Sequence, residues 1–379
     1  MKMLKIMFHI NSLGKGGAER VVSLLSQEFS KEGYQVVIAT EWVEDKEYEL
    51  LPSVRRIHVG LNEKQEQASS LLKQWFRVSN LRKSIQNEKP DVILSFCIKA
   101  NYRATMATTG MKIPVITSVR SDPKVDYIGV KNSIINKLFF NRAAGCVFQT
   151  EEAQSFFHKD LQKKSTIICN PANEYFLNAR LKEPRKKIVC VGRLVKSKNQ
   201  LMLIRSFEEI LKKYPDYHLY LYGGSSLDDY QEILKKYVEE KMISIWDESK
   251  KDTIAAKLQN YVHFMGVKDH LEQEIADAQI FVLPSDYEGM PNALMEAMAM
   301  GLPCISTDCP CGGSRYWIQH DRNGKLIPVG DQQALTKELL DYIEHPKKAQ
   351  EMGELARRCL KDAELPKVYE QWKSYINQV

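Results

Sequence analysis

The chain has 379 residues, 44% of them apolar and 27% charged, with a formal net charge of +6. It is too long for one ordinary core and suits two domains of about 150 to 200 residues each. The composition is that of a soluble globular protein, and no run approaches the ~18 to 20 apolar residues that a membrane-spanning helix requires.

The charge is unevenly spread. Residues 1–180 carry 26 Lys and Arg against 18 Asp and Glu, whereas the remainder carries 28 against 30. A basic first half either meets something anionic, such as phosphate, nucleic acid or a membrane surface, or is a solvated basic face. The eight cysteines, at 97, 146, 169, 190, 304, 309, 311 and 359, show neither even spacing nor a CxxC pair, which points to a reducing compartment. CPCGG at 309–313 sets two Cys one residue apart with no His nearby, too few ligands for a tetrahedral metal site.

In chain order, MKMLKIMFHI opens as a strand, since His9 interrupts it and no cleavage site follows. Short apolar runs then alternate with helical patterns: QVVIAT, DVILSF, PVITSV and GCVFQT, then KKIVCVGRL, HLYLYG, YVHFMG, QIFVLPS and LPCISTD. Strands continuous in Val, Ile and Leu between amphipathic segments predict parallel sheets covered on both faces, hence two doubly wound α/β domains. Periodicity lapses at CNPANEYFLNARLKEPRKK, residues 169–187, which marks the junction. In ASSLLKQWFRVSNLRKSI at 68–85, Ala68, Leu71, Leu72, Trp75 and Phe76 form a stripe edged by Lys73, Arg77, Arg82 and Lys83. Either this helix lies at the headgroup level of an anionic membrane, or, as expected for the apolar residues themselves, the stripe packs beside DVILSF while the basic rim still faces lipid. The last stretch spaces Val368, Trp372, Tyr375 and Ile376 as one helical face with something to bury.

Ligands of open α/β sheets gather at the carboxyl ends of strands. NSLGKGGAER follows the first strand, but Glu19 stands where a dinucleotide fingerprint wants Gly, and no GK[ST] is present. What survives is a turn at Gly16 and Gly17 that either admits a phosphate or sugar or is a plain strand-to-helix turn. VGRLVKSKNQ places Arg193 and Lys198 on a loop before a helix, where two cations suit a diphosphate.

DYEGMPNALMEAMAMGL at 286–302 is more specific. A loop follows the strand QIFVLPS, Pro291 or Asn292 starts a helix, and Gly301 with Pro303 stops it. Gly289 admits a close ligand, and the N–H groups of Asn292, Ala293 and Leu294 make an anion site. Glu296 lies one turn inside, leaning back toward that site, where a carboxylate accepts bonds from hydroxyls, a ribose diol being the natural candidate. Glu288 reaches hydroxyls on the other side of the phosphates. Asp286 and Glu288 also resemble a carboxylate pair for Mg²⁺ or Mn²⁺. The Arg and Lys clamp makes such an ion unnecessary, so no metal and no other cofactor is expected.

With these residues assembled, the chain resembles family 4 of the retaining glycosyltransferases. LGKGGAERVV, KPDVILSF, VGRLVKSKNQ, HFMGV, PSDYEGMPNALMEAMAMGLPCISTD and NGKLIPVGD fall in that family's order and spacing. The resemblance implies the GT-B fold, α/β with two doubly wound Rossmann-like domains facing a cleft. Residues 1–180 would form the acceptor-side domain, 181–355 the nucleotide-sugar domain, and 356–379 a helix crossing back to the first. It also implies roles: Glu288 on the donor sugar, with N–H groups of Gly289 and Met290; Glu296 on the ribose; Gly192, Arg193 and Lys198 at the diphosphate; Gly266 and Val267 at the base; Gly17 near phosphates and acceptor. Two departures stand out. SVRSDPKVD offers Arg120 and Asp122 where many members carry a His on the sugar, as in the branch that builds bacterial surface glycans. Residues 236–260 are longer and more charged than usual, which predicts a peripheral helix.

The expected reaction moves a hexose or N-acetylhexosamine from a UDP-sugar to a glycan hydroxyl, with retention, the leaving diphosphate being stabilised by Arg193, Lys198 and the helix N-terminus. The glycan is expected to be lipid-linked, the place cytoplasmic or peripheral at an anionic inner membrane face, and no nucleic acid is involved. Two alternatives remain: a UDP-sugar 2-epimerase on the same fold, and a non-catalytic partner subunit that binds nucleotide.

Overall fold

The computed structural model describes residues 4–127, 134, 137–225, 229–241, 243–248 and 261–379. The chain divides into two compact units, Met1–Pro171 with Leu365–Val379, and Ala172–Glu364. Unit 1 thus ends at Pro171 within the junction, and the expected terminal segment begins at Leu365 rather than at 356.

Unit 1 is built on a parallel sheet whose strands are β1 (Lys5–Ile10), β2 (Gln35–Thr40), β3 (Arg55–His58), β4 (Val92–Phe96), β5 (Val115–Ser118), β6 (Gly145–Phe148) and β7 (Ser165–Ile167). Their spatial order is β3-β2-β1-β4-β5-β6-β7. Unit 2 repeats the plan with β8 (Lys187–Val191), β9 (His218–Tyr222), β10 (Ile245–Asp247), β11 (Val262–Phe264), β12 (Ile280–Leu283), β13 (Cys304–Thr307) and β14 (Lys325–Ile327), ordered β10-β11-β9-β8-β12-β13-β14. The apolar runs are the central strands, buried on both faces as their continuous Val, Ile and Leu require. The expected peripheral helix of 236–260 lies in large part, at 249–260, outside the described residues. The preceding helix reaches Glu240, and β10 follows it.

Five helices position the site or complete the core of unit 1: α1 (Gly17–Lys31), α2 (Ser70–Glu88), α3 (Gln200–Lys213), α4 (Asn292–Met300) and α5 (Leu365–Ile376). α5 buries the four residues its spacing singled out, Val368, Trp372, Tyr375 and Ile376. It belongs to unit 1: Trp372 stacks on Phe96 at 5.5 Å, Tyr369 meets Phe29 edge-on at 4.7 Å, and Lys373 pairs with Glu32 at 2.8 Å. The Tyr375 hydroxyl accepts the Cys146 N–H at 2.9 Å, and Gly145 is glycine because a Cβ there would lie 2.3 Å from that hydroxyl.

α2 corrects an expectation. Its C-terminal half holds it to the core through Leu81 and Ile85, packed with Met7, Val37, Ile93 and Ala104. Of the stripe expected beside DVILSF, Leu71, Leu72 and Trp75 instead face solvent, 85%, 51% and 62% exposed, while Ala68 and Phe76 are half-buried. The basic edge turns inward. Lys73 pairs with Glu66 at 3.2 Å, Arg77 with the buried Glu41 at 3.3 Å, and Arg82 donates to the carbonyls of Ala107 and Thr109. Only Lys83 of the four is an exposed residue. Among the described residues no helix is long and apolar enough to cross a membrane.

Candidate functional site

β8 and β12 are neighbours, pairing Ile188 with Ile280 and Val189 with Phe281. The strand order reverses there, so the loops after the two strands leave the sheet side by side, the place where open α/β sheets collect ligands. Glycines end β8, β9 and β11 and let the backbones close up. The Gly192 N–H donates to the Tyr222 carbonyl at 2.9 Å, and the Gly223 N–H to the Gly266 carbonyl at 2.8 Å. A Cβ on Gly223 would stand 2.0 Å from the Gly192 carbonyl oxygen, and Gly266 has φ 62°, in the left-handed region that favours glycine. Val267, next in line, is 66% exposed.

The β8 loop carries Arg193 outward as an exposed side chain with no ion pair to a described residue, then a single 3₁₀ turn, Lys196–Lys198. Lys198 Nζ lies 2.5 Å from Glu288 Oε1, with the lysine side chain 22% and the glutamate 10% exposed. The same oxygen accepts the Ser285 hydroxyl at 2.7 Å. Asp286 is held by a different partner, since Asn199 Nδ2 donates to its Oδ1 at 2.7 Å and its own N–H donates to the Ser197 carbonyl at 2.8 Å. Each carboxylate flanking Tyr287 therefore faces a donor from the β8 loop.

α4 starts after Pro291, which has extended φ −77° and ψ 106° and lends no side-chain cap. Its first-turn N–H groups, from Asn292, Ala293 and Leu294, put the positive end of the helix dipole at the loop that holds Gly289 and Met290. Inside the helix Leu294, Met295, Ala297, Met298, Ala299 and Met300 are buried, so Glu296 is its one ionisable side chain and keeps partial exposure. The structure thus brings Gly192, Arg193, Lys198, Gly266, Val267, Glu288 and the start of α4 to the carboxyl edge of one sheet.

Sequence reasoning missed the residues beneath them. The Ser285 carbonyl accepts from Thr307 Oγ1 at 2.6 Å and from Cys309 Sγ at 3.3 Å, which fixes the start of the loop. Burial pushes the Cys309 thiol up to about 12, so it stays a protonated donor. CPCGG is therefore packing: a Cβ on Gly313 would fall 1.8 Å from the Gly289 carbonyl oxygen. The signal available was the glycine pair itself, a mark of close backbone approach.

In unit 1, Gly16 caps α1, and its N–H donates to the Gly14 carbonyl at 2.7 Å. Glu19 folds back over it, since a Cβ at Gly16 would lie 2.2 Å from Glu19 Oε2. A carboxylate thus already stands at the turn formed with Gly17. Asp122 is buried and accepts the Lys124 N–H at 2.9 Å as the cap of the short helix Pro123–Asp126. The Arg120 guanidinium lies 5.1 Å from the Phe96 ring centre and 5.4 Å from that of Trp372, and donates to Asn170 Oδ1 at 3.1 Å. Burial lowers its pKa to about 10, still charged at neutral pH.

Two family models match the chain, one described as Glycosyltransferase Family 4 over residues 15–174 and one as Glycosyl transferases group 1 over residues 185–345. Among curated relatives, an uncharacterized glycosyltransferase of Methanocaldococcus jannaschii is 25% identical over 79% of this chain and 82% of its own. A second is the Campylobacter jejuni GalNAc-alpha-(1->4)-GalNAc-alpha-(1->3)-diNAcBac-PP-undecaprenol alpha-1,4-N-acetyl-D-galactosaminyltransferase, 23% identical over 100% of this chain and 99% of its own. Among solved structures, Anabaena HepE in complex with UDP and glucose superposes with a TM-score of 0.80 at 16% identity, covering 99% of this chain and 100% of that one. Sucrose-phosphate synthase of Thermosynechococcus elongatus gives 0.81 at 18% identity, covering 99% and 98%. The chain belongs to glycosyltransferase family 4, and its two Rossmann-like domains are those of the GT-B fold.

Gly313→Ala tests the packing beneath the loop. The methyl group displaces Gly289, so we expect a loss of about 1 to 3 kcal/mol in stability from overpacking, read by chemical denaturation. Stability within about 0.5 kcal/mol of the parent, the scatter of a surface change, would show that the contact is slack.

Proposed function

We propose that the protein transfers a sugar, a hexose or N-acetylhexosamine, from a UDP-sugar to a hydroxyl of a lipid-linked glycan in the building of a bacterial surface polysaccharide or oligosaccharide. The observation that carries this reading is the Lys198–Glu288 pair beside the exposed Arg193 and the start of α4. Cations and a helix N-terminus suit a diphosphate, and carboxylates on either side suit a sugar and a ribose. Names of similar proteins support it: HepE was solved in complex with UDP and glucose, and the Campylobacter jejuni relative is named for an undecaprenol-linked glycan.

In this reading Arg193 and Lys198 take the diphosphate with the N–H groups of α4, Glu288 and the N–H groups of Gly289 and Met290 take the sugar, and Glu296 takes the ribose. The bond from the anomeric carbon to the diphosphate oxygen breaks, its electron pair leaving with the diphosphate. The acceptor oxygen forms the new bond on the same face, with retention, and its proton passes to the departing phosphate. Charge develops on the diphosphate, so each cation aimed at it lowers the barrier. Arg193→Ala and Lys198→Ala should each raise that barrier by about 2 to 4 kcal/mol, as loss of an oxyanion donor does. Glu296→Gln should weaken UDP itself, and Glu288→Gln should spare UDP and impair the donor. Calorimetry in the reverse order sinks the assignment, and kcat within a few-fold of wild type for both cation variants removes the clamp. A new UDP-sugar formed without acceptor would mark an epimerase instead.

The site needs no metal in this reading, because the clamp neutralises the leaving group and Asp286 and Glu288 are engaged by Asn199 and Lys198. Turnover should persist in EDTA. Activity lost in chelator and restored by Mn²⁺ would make those carboxylates ligands.

The acceptor's lipid places the enzyme at the cytoplasmic membrane face, and unit 1 offers the exposed Leu71, Leu72 and Trp75 at the start of α2. Apolar insertion at headgroup level would carry the attachment, with general basic charge of residues 1–180 adding attraction to anionic lipid. Flotation should show binding to anionic vesicles at low salt that Trp75→Ser reduces. Equal and negligible binding to neutral and anionic vesicles removes the membrane claim.

A further inference from the structure

Three links sew the β8 loop to the β12 loop. They are the Lys198–Glu288 ion pair, the Asn199 Nδ2 to Asp286 Oδ1 hydrogen bond at 2.7 Å, and the Asp286 N–H to Ser197 carbonyl bond at 2.8 Å. The first cannot survive a bound UDP-sugar, because it uses the lysine wanted by the diphosphate and the glutamate wanted by the sugar. The other two both pass through Asp286. We propose that Asn199 and Asp286 form a brace that positions Lys198 and Glu288 while donor is bound, a role that rests on the donor reading.

The choice of residue types supports this. Asp286 carries negative charge into a site built for a diphosphate, where like charges repel, so it needs a purpose other than binding. Asn199 has φ 46° and ψ 39°, the left-handed region in which Asn is among the few tolerated non-glycine residues. Its amide is used at both ends: Oδ1 accepts the Met202 N–H at 3.3 Å and so caps α3, and Nδ2 holds Asp286. Gly would take the backbone and lose both bonds. Asp would keep the cap and set two carboxylates against each other. One side chain therefore ties the start of α3, the residue after Lys198 and the loop of Glu288 into a single body. Asn199 and Asp286 are positioning residues that act through Lys198 and Glu288.

The test swaps the two ends of the bond and measures UDP binding by calorimetry, with thermal unfolding of each variant alongside. Asn199→Asp should weaken UDP about tenfold with little change in melting temperature, since the cap persists. Adding Asp286→Asn reverses donor and acceptor and should restore affinity to within about threefold of wild type. Asn199→Asp with Asp286→Ala has the same net charge as that double variant but no bond, and should stay weak. Should the alanine double recover as well as the swap, or Asn199→Asp bind UDP within twofold of wild type, the brace is overturned. Wild-type protein silent to UDP overturns the donor reading, and the brace falls with it. UDP binding by wild type with flat affinity across the variants overturns the brace alone.

Discussion

β8 and β12 lie side by side because the chain, after placing β9, β10 and β11 on one side of β8, returns across the sheet and continues on the other. Parallel pairing forces both strands to end at the same edge. The loops that follow them must then share one small volume, and every feature of the candidate site is a consequence: a lysine meets a glutamate, an asparagine meets an aspartate, and a helix start opens beside both. Glycines at the strand ends let the backbones approach as closely as this crowding demands. Thr307 and Cys309, at and just after the carboxyl end of the next strand, hold the floor of the loop from below.

The electrostatics of the site are those of a place that waits for an anion. Lys198 and Glu288 satisfy one another at partial burial, where the attraction exceeds that of a fully solvated pair. In the proposed reading a diphosphate would replace the carboxylate as the lysine's partner, and sugar hydroxyls would replace the lysine as the carboxylate's partner. That exchange would set two charge-assisted contacts in place of one ion pair, so the pair that joins the loops without donor would give way to it at modest cost. Asp286 lies outside this exchange because Asn199 and not a cation is its partner.

Unit 1 treats its charges differently. The half-buried Arg120 has its guanidinium between two aromatic rings and beside a carboxamide, and Glu41 gathers Arg77 and Arg103 below the surface. Basic residues that look available along the sequence are thereby used internally. The first turns of α2, by contrast, have no core to meet, and their Leu and Trp side chains remain in solvent. α5 completes this unit from the far end of the chain, its aromatic face meeting Phe29 and Phe96.

Local sequence determined the central strands, because a strand buried on both faces must be continuously apolar, and KIMFHI, DVILSF, KKIVCV and QIFVLPS carry that mark. It also determined the start of α4 and the Glu288 to Glu296 spacing, which depend on neighbours a few residues apart. The strands it did not reveal, β3, β7, β10 and β14, are the outermost of the two sheets. With only one paired edge they are short or polar, as in RRIH, and a pattern-based reading passes over them. Only tertiary structure decided which apolar face of α2 found a core, since helical period gives the face and not its partner. It alone paired Asn199 with Asp286 and Gly313 with Gly289, because those contacts join segments that are distant in the chain and meet only once the sheet order is set.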